Sequence, residues 1–506
     1  MASFNKTTKH TTSAATNVPA AVRHIVTAQP DTTNLAGGKA FKQSAQYQLA
    51  FLMLTSFVEN QFYRTAGDTL LQLRNLISQV DPKFAAKAAI YARTQAGMRS
   101  ISHAAAAEIV KIVKGEKWTK HFLDKVIYRV DDAAEILAAY IHLHKKPIPN
   151  SLKKGLALGL GKFDRYQLAK YKGETDAVKL VDLFNLVHPK PSAQNAEAYK
   201  DLMEGKLAST DTWESELSAA GQTGKNKGEV WAELVTNKKL GYFALLRNMR
   251  NILQNCSPEI LEIACAQLVD EKSIKRSLVL PFRYMVAIKE MSSLQESGVR
   301  KVIAALDKAA EIALCNVPKF EGNTLVVLDC SGSMGSLGWA VARGKGKDGR
   351  SPAEIGALFG AVLTKTNDAD FLLFDDRASY HNINLGDTLS TITKTIAAGC
   401  RGGGTDFNCI FKPLTKKYDR IIILSDMQAW IGHNTPQAAF GEYCKTYKAT
   451  PKVYCFDLAG YGSMQFPAEG IYQLAGFSDK TMDLMQALEK DPSAILTAIN
   501  AVELPE

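Results

Sequence analysis

Two periodicities divide the chain. From about Gln46 to about Asn316, apolar residues return every three or four positions, the spacing of one face of a helix. QLAFLMLTSFVENQFY, TLLQLRNLISQV, PKFAAKAAIYARTQAG, SHAAAAEIVKIVKG and DDAAEILAAYIHLH follow one another in this way. Punctuation agrees with the pattern: Asp81-Pro82 opens one helix, Gly97 closes it, and Gly115 closes the next. Many short helices in series without strands predict an α-solenoid of HEAT type. No repeat of fixed period is visible, so this expectation rests on helix number and length. Ahead of the helices, residues 1–40 are rich in Thr, Ser, Asn, Ala and Gly and read as a flexible N-terminal arm.

At Val317-Pro318 the period changes. Continuous apolar runs of strand type, NTLVVLD and ADFLLFD, now flank the helical PAEIGALFGAVLTKT. A glycine-rich turn and FNCIFKPLTKKY come next, followed by DRIIILSDM, PQAAFGEYCKTY, KVYCFDL and a closing helix near 479–490. Buried strands separated by helices predict an α/β doubly wound domain, a parallel sheet covered on both faces. Such sheets bind ligands at the carboxyl ends of their strands, which directs attention to Asp329 and Asp426.

Composition narrows the class. A chain of 506 residues exceeds one ordinary core, and 46% hydrophobic with 22% charged residues is globular. Runs of about 18 apolar residues are absent, which excludes a transmembrane helix. The first twenty residues lack the apolar stretch of a secretory signal, so a cytoplasmic protein is expected. All eight cysteines fall after residue 250 in apolar surroundings, without a C-x-x-C pair. That usage predicts buried thiols in a reducing compartment rather than a disulfide framework or a zinc site. The net charge of +10 suits a polyanionic partner. Its distribution says more: Lys145, Lys146, Lys153, Lys154, Lys162, Arg165, Lys170, Lys172 and Lys179 stand against only Asp164, Glu174 and Asp176. Taken alone, such a cluster is a solvated helical face.

The stretch LVVLDCSGSMGS (325–336) ends a strand on Asp329 and sets Ser331 and Ser333 at alternate positions. A nucleophile elbow needs glycine where Asp329 stands. A phosphate loop fails as well, because GWAVARGKGKDGR has the wrong spacing and no Ser or Thr after its lysines. A plain turn and an oxygen-ligand site for a hard cation remain. Two further segments favour the cation: CRGGGTDF (400–407) offers Thr405 after three glycines, and IIILSDM ends on Asp426. Together, D-x-S-x-S, G-G-T and a strand-terminal S-D resemble the metal-ion-dependent adhesion site of von Willebrand factor A domains. The resemblance implies Mg²⁺ or a similar ion bound by Asp329, Ser331 and Ser333 directly, by Thr405 directly or through water, and by Asp426 mostly through water. Such a site leaves a position open for an acidic group of a partner. The neighbouring segment 343–350, RGKGKDGR, is basic and reads equally as a solvated loop or an anion contact. No His or Lys is placed as a general base, so an enzyme is not expected.

The helical half extends the resemblance. TNLAGGKAF (33–41), FYRTAGD (62–68), YARTQAGMRSISHAAAAEI (91–109), VDDAAEILAAY (130–140), LKKGLALGLGKFDRYQLAKYKG (152–173), LFNLVHPKP (183–191), YFALLRNMRNIL (242–253) and LVLPFRYMVAI (278–288) resemble the TROVE-domain Ro proteins, in their bacterial or phage branch. The resemblance implies a ring of HEAT-like helical repeats at 41–318, closed by a von Willebrand factor A-like domain at 319–506. It implies Y-like small non-coding RNA on a basic outer surface, and single-stranded ends of misfolded RNA in a central channel, in RNA quality control or processing. An exoribonuclease or another protein would be met through the metal site, with no membrane partner.

Under that resemblance Lys153, Lys154, Lys162, Arg165, Lys170 and Lys172 become phosphate contacts, with the salt sensitivity that counterion release brings. His188 matches a family histidine linked to RNA; read on its own it is a histidine favoured by a helix C-terminus. Arg247 and Arg250, three apart on one helical face, join as further RNA contacts, while Leu245, Leu246 and Met249 pack. Aromatic stacking platforms are not expected, because Tyr and Phe mostly fall at helical core positions. The rival reading is a protein-interaction scaffold that captures a partner's carboxylate at the metal site; metal-dependent hydrolysis is a third.

Overall fold

The computed structural model describes residues 18–506 apart from 43, 56–65, 114–115, 172–177, 208–216, 218–225, 336–350, 432–435, 460, 462, 468–470, 476–484, 486–487, 490 and 492. Gly115, Lys172, the basic segment 343–350 and most of the helix expected near 479–490 lie outside the described residues.

Among the described residues, helices are the only regular elements between Ala45 and Asn316. Local signals act as expected at Pro82–Thr94, where the Asp81 carboxylate accepts the Phe84 N–H at 3.0 Å and Gly97 turns the chain at φ +69°. Helices meet the next but one along the chain: Ala45–Thr55 with Pro82–Thr94, Ala66–Gln79 with Ser100–Ile112, Pro82–Thr94 with Thr119–Val126, and Ser100–Ile112 with Val130–His144. That stacking is the layer arrangement of a solenoid. The alanine-rich sequence permits it, because Ser100–Ile112 is buried without interruption from Ile101 to Val110. Closer still, a Cβ placed on Gly155 would come within 2.3 Å of the Leu123 side chain, so Leu123 of Thr119–Val126 packs directly on the Gly155 backbone of Asn150–Leu160.

The strands are β1 (Thr32–Thr33) and β2 (Lys39–Ala40), an antiparallel hairpin, then β3 (Thr324–Asp329), β4 (Asp370–Phe374), β5 (Ala378–Tyr380), β6 (Arg420–Ser425), β7 (Lys452–Asp457) and β8 (Ile471–Ala475). The last six form one sheet in the order β5-β4-β3-β6-β7-β8, parallel except for β5 at its edge. Side chains alternate between two cores. Val326, Leu328, Leu373, Ile422, Leu424 and Phe456 continue into the apolar core of the helical half. Leu325, Val327, Leu372, Ile421, Ile423 and Val453 face the other way, among Phe440, Tyr443 and Cys444 of the helix Gln437–Tyr447.

Three expectations need correction. Residues 18–40 are not a flexible arm: Val18, Val22 and Ile25 are buried in the second core, and Phe41 N–H donates to Met464 O. The segment is a structural part of the sheet domain, joined to it across roughly four hundred residues of sequence. Cys330 and Cys400 form a disulfide, so those two are not free thiols, whereas Cys256, Cys265, Cys315, Cys409, Cys444 and Cys455 are. Finally, β5 and β8 widen the sheet at its edges beyond the runs read from the sequence.

The sheet domain meets both ends of the helical array. At the late end Phe282 packs on Phe359 at 5.5 Å between centroids, and Glu311 pairs with Lys365 at 2.7 Å. At the early end the C-terminal helix Ala494–Asn500 lies on Pro82–Thr94, with Ile495 and Ile499 buried.

Candidate metal centre and cationic surfaces

β3 occupies the middle of the sheet, and the chain leaves it first toward β4 and later toward β6. The switch point lies at the carboxyl ends of β3 and β6, where Asp329 and the Ser425-Asp426 pair stand. Both carboxylates are buried. Asp329 accepts the Ser331 N–H at 2.9 Å through Oδ1 and the Ser425 hydroxyl at 2.5 Å through Oδ2. The Ser331 and Ser333 hydroxyls lie 3.2 Å apart. Asp426 Oδ1 accepts the Gln428 N–H at 3.2 Å, while Asp426 Oδ2 is buried with no hydrogen-bond partner among the described residues.

A second loop closes over the first. Gly402 N–H donates to Cys330 O and Gly332 N–H to Gly403 O, each at 2.9 Å, and the Cys330–Cys400 disulfide joins the same two loops. Thr405 is buried, and its carbonyl accepts the N–H groups of Trp430 and Ile431 in the third loop. The glycines are required here: a Cβ on Gly404 would lie 2.2 Å from Ile431, and Gly402 has φ +79°. Ser331, Ser333, Gly402, Gly403, Gly404, Thr405 and Trp430 line a pocket of about 390 Å³.

Burial pushes the Asp329 carboxyl up, against hydrogen bonds from Ser425 and Ser331 that favour its charged form. Asp426 is pushed up further, by burial first and then by the charge of Asp329. Among the described residues, two buried carboxylates, two neighbouring hydroxyls and one orphaned oxygen, with no cationic side chain paired to either carboxylate, form an all-oxygen donor set suited to a hard divalent ion.

Sequence reasoning passed over several contributors. Asp375 and Asp457, buried after β4 and at the end of β7, each raise one of the two central carboxylates. Their signal was present, since ADFLLFD and KVYCFDL also run apolar strands into an aspartate. Ser425, which holds Asp329, precedes Asp426 in the same S-D pair. Trp430, 55% exposed on the pocket rim, carried no signal. Nor did the β1–β2 hairpin, where Asn34 Nδ2 donates to Ala429 O at 2.6 Å and Leu35 N–H donates to Gln428 Oε1 at 2.9 Å. The hairpin thereby supports the loop that follows Asp426.

The predicted cationic residues separate into groups. Lys153 and Lys154 lie on Asn150–Leu160, half-buried and exposed respectively. Lys162, with its side chain 39% exposed, donates to the Asp124 carbonyl and pairs with the Asp124 carboxylate at 3.2 Å, and desolvation lowers its ammonium. Arg165 pairs with Asp201 at 2.6 Å. Lys170 lies 5.9 Å from the Tyr166 ring centroid and 5.8 Å from that of Tyr171. His188 is exposed and caps Leu180–Val187 in the left-handed region at φ 47°. Arg247 and Arg250 are exposed on Tyr242–Asn255, with Arg250 4.0 Å from Glu290. Most aromatic rings are core material, and Tyr128, Tyr166 and Phe243 are exposed by 60%, 46% and 40%.

Comparison with known proteins agrees with this architecture. Residues 203–321 match the TROVE domain family model, and residues 323–489 match that of the Ro60 vWA domain. Telomerase protein component 1 of Mus musculus is 23% identical over 342 residues, covering 50% of this chain and 13% of that protein. The RNA-binding protein RO60 of Deinococcus radiodurans is 26% identical over 229 residues, 41% of each chain. The chain thus spans well under half the length of these curated relatives. The crystal structure of the Deinococcus radiodurans Ro (RSR) protein superposes with a TM-score of 0.57 at 18% identity, covering 90% of this chain and 99% of that one.

Proposed function

From a chain that carries a TROVE domain and then a Ro60-type von Willebrand factor A domain, we propose an RNA-binding protein of the Ro type rather than an enzyme. The observation that carries this reading is the order of the two domain matches within one fold shared with a Ro protein over 90% of the chain. A structured, Y-like small RNA would lie on the outer basic surface, and single-stranded ends of misfolded RNA would enter a central channel. Lys153, Lys154 and Lys170 of that basic stretch would meet phosphate, Lys170 beside the Tyr166 and Tyr171 rings. Lys162 and Arg165 are already engaged by Asp124 and Asp201.

Asp329, Ser331, Ser333, Thr405 and Asp426 would hold Mg²⁺ or a similar ion, which would supply Lewis acidity toward an acidic group of a partner. Residues of this chain do the rest: Ser425 orients Asp329, Gln428 orients Asp426, and the glycines admit the Thr405 loop to the site.

The RNA reading is tested by titrating a structured small RNA at several salt concentrations. Affinity should fall steeply with salt, and the triple charge reversal Lys153→Glu, Lys154→Glu, Lys170→Glu should flatten the slope by about 2–3 phosphate contacts. An unchanged slope in the reversed variant defeats the outer-surface assignment.

A further inference from the structure

The loop that leaves Asp426 is held from two sides. Met427 adopts φ +58°, a left-handed conformation that is costly for a long side chain and persists only where the surroundings impose it. On one side Gln465 Nε2 donates to Met427 O at 2.9 Å. On the other lies the β1–β2 hairpin, from the far end of the chain. Asn34 Nδ2 donates to Ala429 O at 2.6 Å, and Leu35 N–H donates to Gln428 Oε1 at 2.9 Å. The approach is close, because a Cβ on Gly38 would stand 2.0 Å from Ala429 O. Gln428 is fully buried and turns back on Asp426: its N–H donates to Asp426 Oδ1 and its Nε2 to Asp426 O, each at 3.2 Å. The same loop runs on to Trp430 and Ile431, whose N–H groups donate to Thr405 O. The hairpin therefore grips the loop that connects Asp426 to Thr405.

We propose that this hairpin is a working part of the metal centre. Asn34 and Gln428 are positioning residues for Asp426, and hairpin docking and divalent-ion binding strengthen each other. The proposal rests on the metal reading above and adds what controls ion affinity. An ion shared by Asp426 and Thr405 fixes their separation, which requires the loop between them to keep the conformation that the hairpin imposes. Linkage is reciprocal: the factor by which a docked hairpin raises ion affinity is the factor by which the ion favours docking. Whatever lifts residues 32–40 from the loop lowers the affinity for the ion.

The full chain is titrated with Mn²⁺, and exchange of the Leu35 amide is followed with and without saturating Mg²⁺. Asn34 Oδ1 accepts the N–H groups of Ala36 and Gly38 within the turn, so Asn34→Asp keeps the turn and loses only the donor to Ala429 O. Asn34→Asp and Gly38→Ala should each weaken Mn²⁺ binding about tenfold. In the unmodified protein, Mg²⁺ should slow Leu35 exchange by a similar factor, which a hairpin that merely packs on the domain would not show. That measurement needs no variant, so it decides the matter even where a substitution prevents folding. Unchanged Mn²⁺ affinity in both variants, or Leu35 exchange indifferent to Mg²⁺, overturns the coupling and leaves the metal centre standing. Failure of the unmodified protein to bind Mn²⁺ saturably overturns the metal reading and the coupling with it.

Discussion

At the scale of single residues, three buried carboxylates show how partners decide the sign of an electrostatic effect. Asp132 is fully buried, yet it accepts the N–H groups of Tyr128 and Arg129, a two-pronged contact from Arg93, and a contact from His103 at 2.9 Å. Burial would raise its carboxyl, but His103 and Arg93 together hold it well below the usual carboxylate range. Asp329 and Asp426 are as deeply buried with no cationic partner among the described residues, and their carboxyls are pushed up. A depressed folded-state pKa contributes stability that is present above the unfolded value, about 4, and is lost as pH falls through the folded one. Asp132→Asn, which also strands Arg93, should therefore cost about 3–5 kcal/mol at neutral pH. The gap from the unmodified protein should narrow below about pH 4. Denaturant titrations across that range measure it, and a gap that does not change with pH would show that packing, not charge, dominates at this position.

At the scale of elements, the candidate metal centre is three loops at strand ends, and its legibility followed the range of the interactions involved. Asp329, Thr405 and Asp426 were readable because each ends or follows a local pattern: an apolar run stopping on a carboxylate, or glycines before a hydroxyl. The Cys330–Cys400 bond was not readable, because it joins loops 70 residues apart and neither flank carries a spacing signal. The β1–β2 hairpin was harder still, since TNLAGG has the composition of a tether and its partners begin at Gln428. The engagement of Lys162 depends on Asp124 of the helix Thr119–Val126, so a charge count could not separate it from Lys154. The loops also carry a prediction. Saturable Mn²⁺ binding, followed by the loss of the free-ion paramagnetic signal, should disappear in Asp329→Ala. Gly404→Ala should weaken it by about tenfold, by pressing a methyl group into Ile431 and displacing the Thr405 loop. Absence of saturable binding by the unmodified protein would defeat the metal assignment.

At the scale of the whole molecule, the sheet domain is both the end of the chain and the clasp of the helical array. The late helices reach it through Phe282 on Phe359 and through Glu311, which pairs with Lys365 and accepts the Leu389 N–H at 2.7 Å. The early helices reach it through the C-terminal helix, where Lys87 donates to Asn500 O at 2.7 Å and Lys83 pairs with Glu506. These exposed polar contacts contribute little. The clasp is apolar, with Ile495 and Ile499 buried against the helical half. Removing most of the Ile499 side chain should cost about 2–5 kcal/mol, charged to the docking of this helix and not to the sheet. In Ile499→Ala, amide exchange should therefore quicken first in Pro82–Thr94 and Ala45–Thr55, while β3 and β6 keep their protection. Equal loss of protection in β3 would mean that the two halves unfold as one unit and that the C-terminal helix is not a separable clasp. If the early helices do open alone, any strand held between the array and the sheet domain could enter sideways, without threading an end. Ile499→Ala should then speed association of a circular single-stranded RNA, with little effect on a linear one.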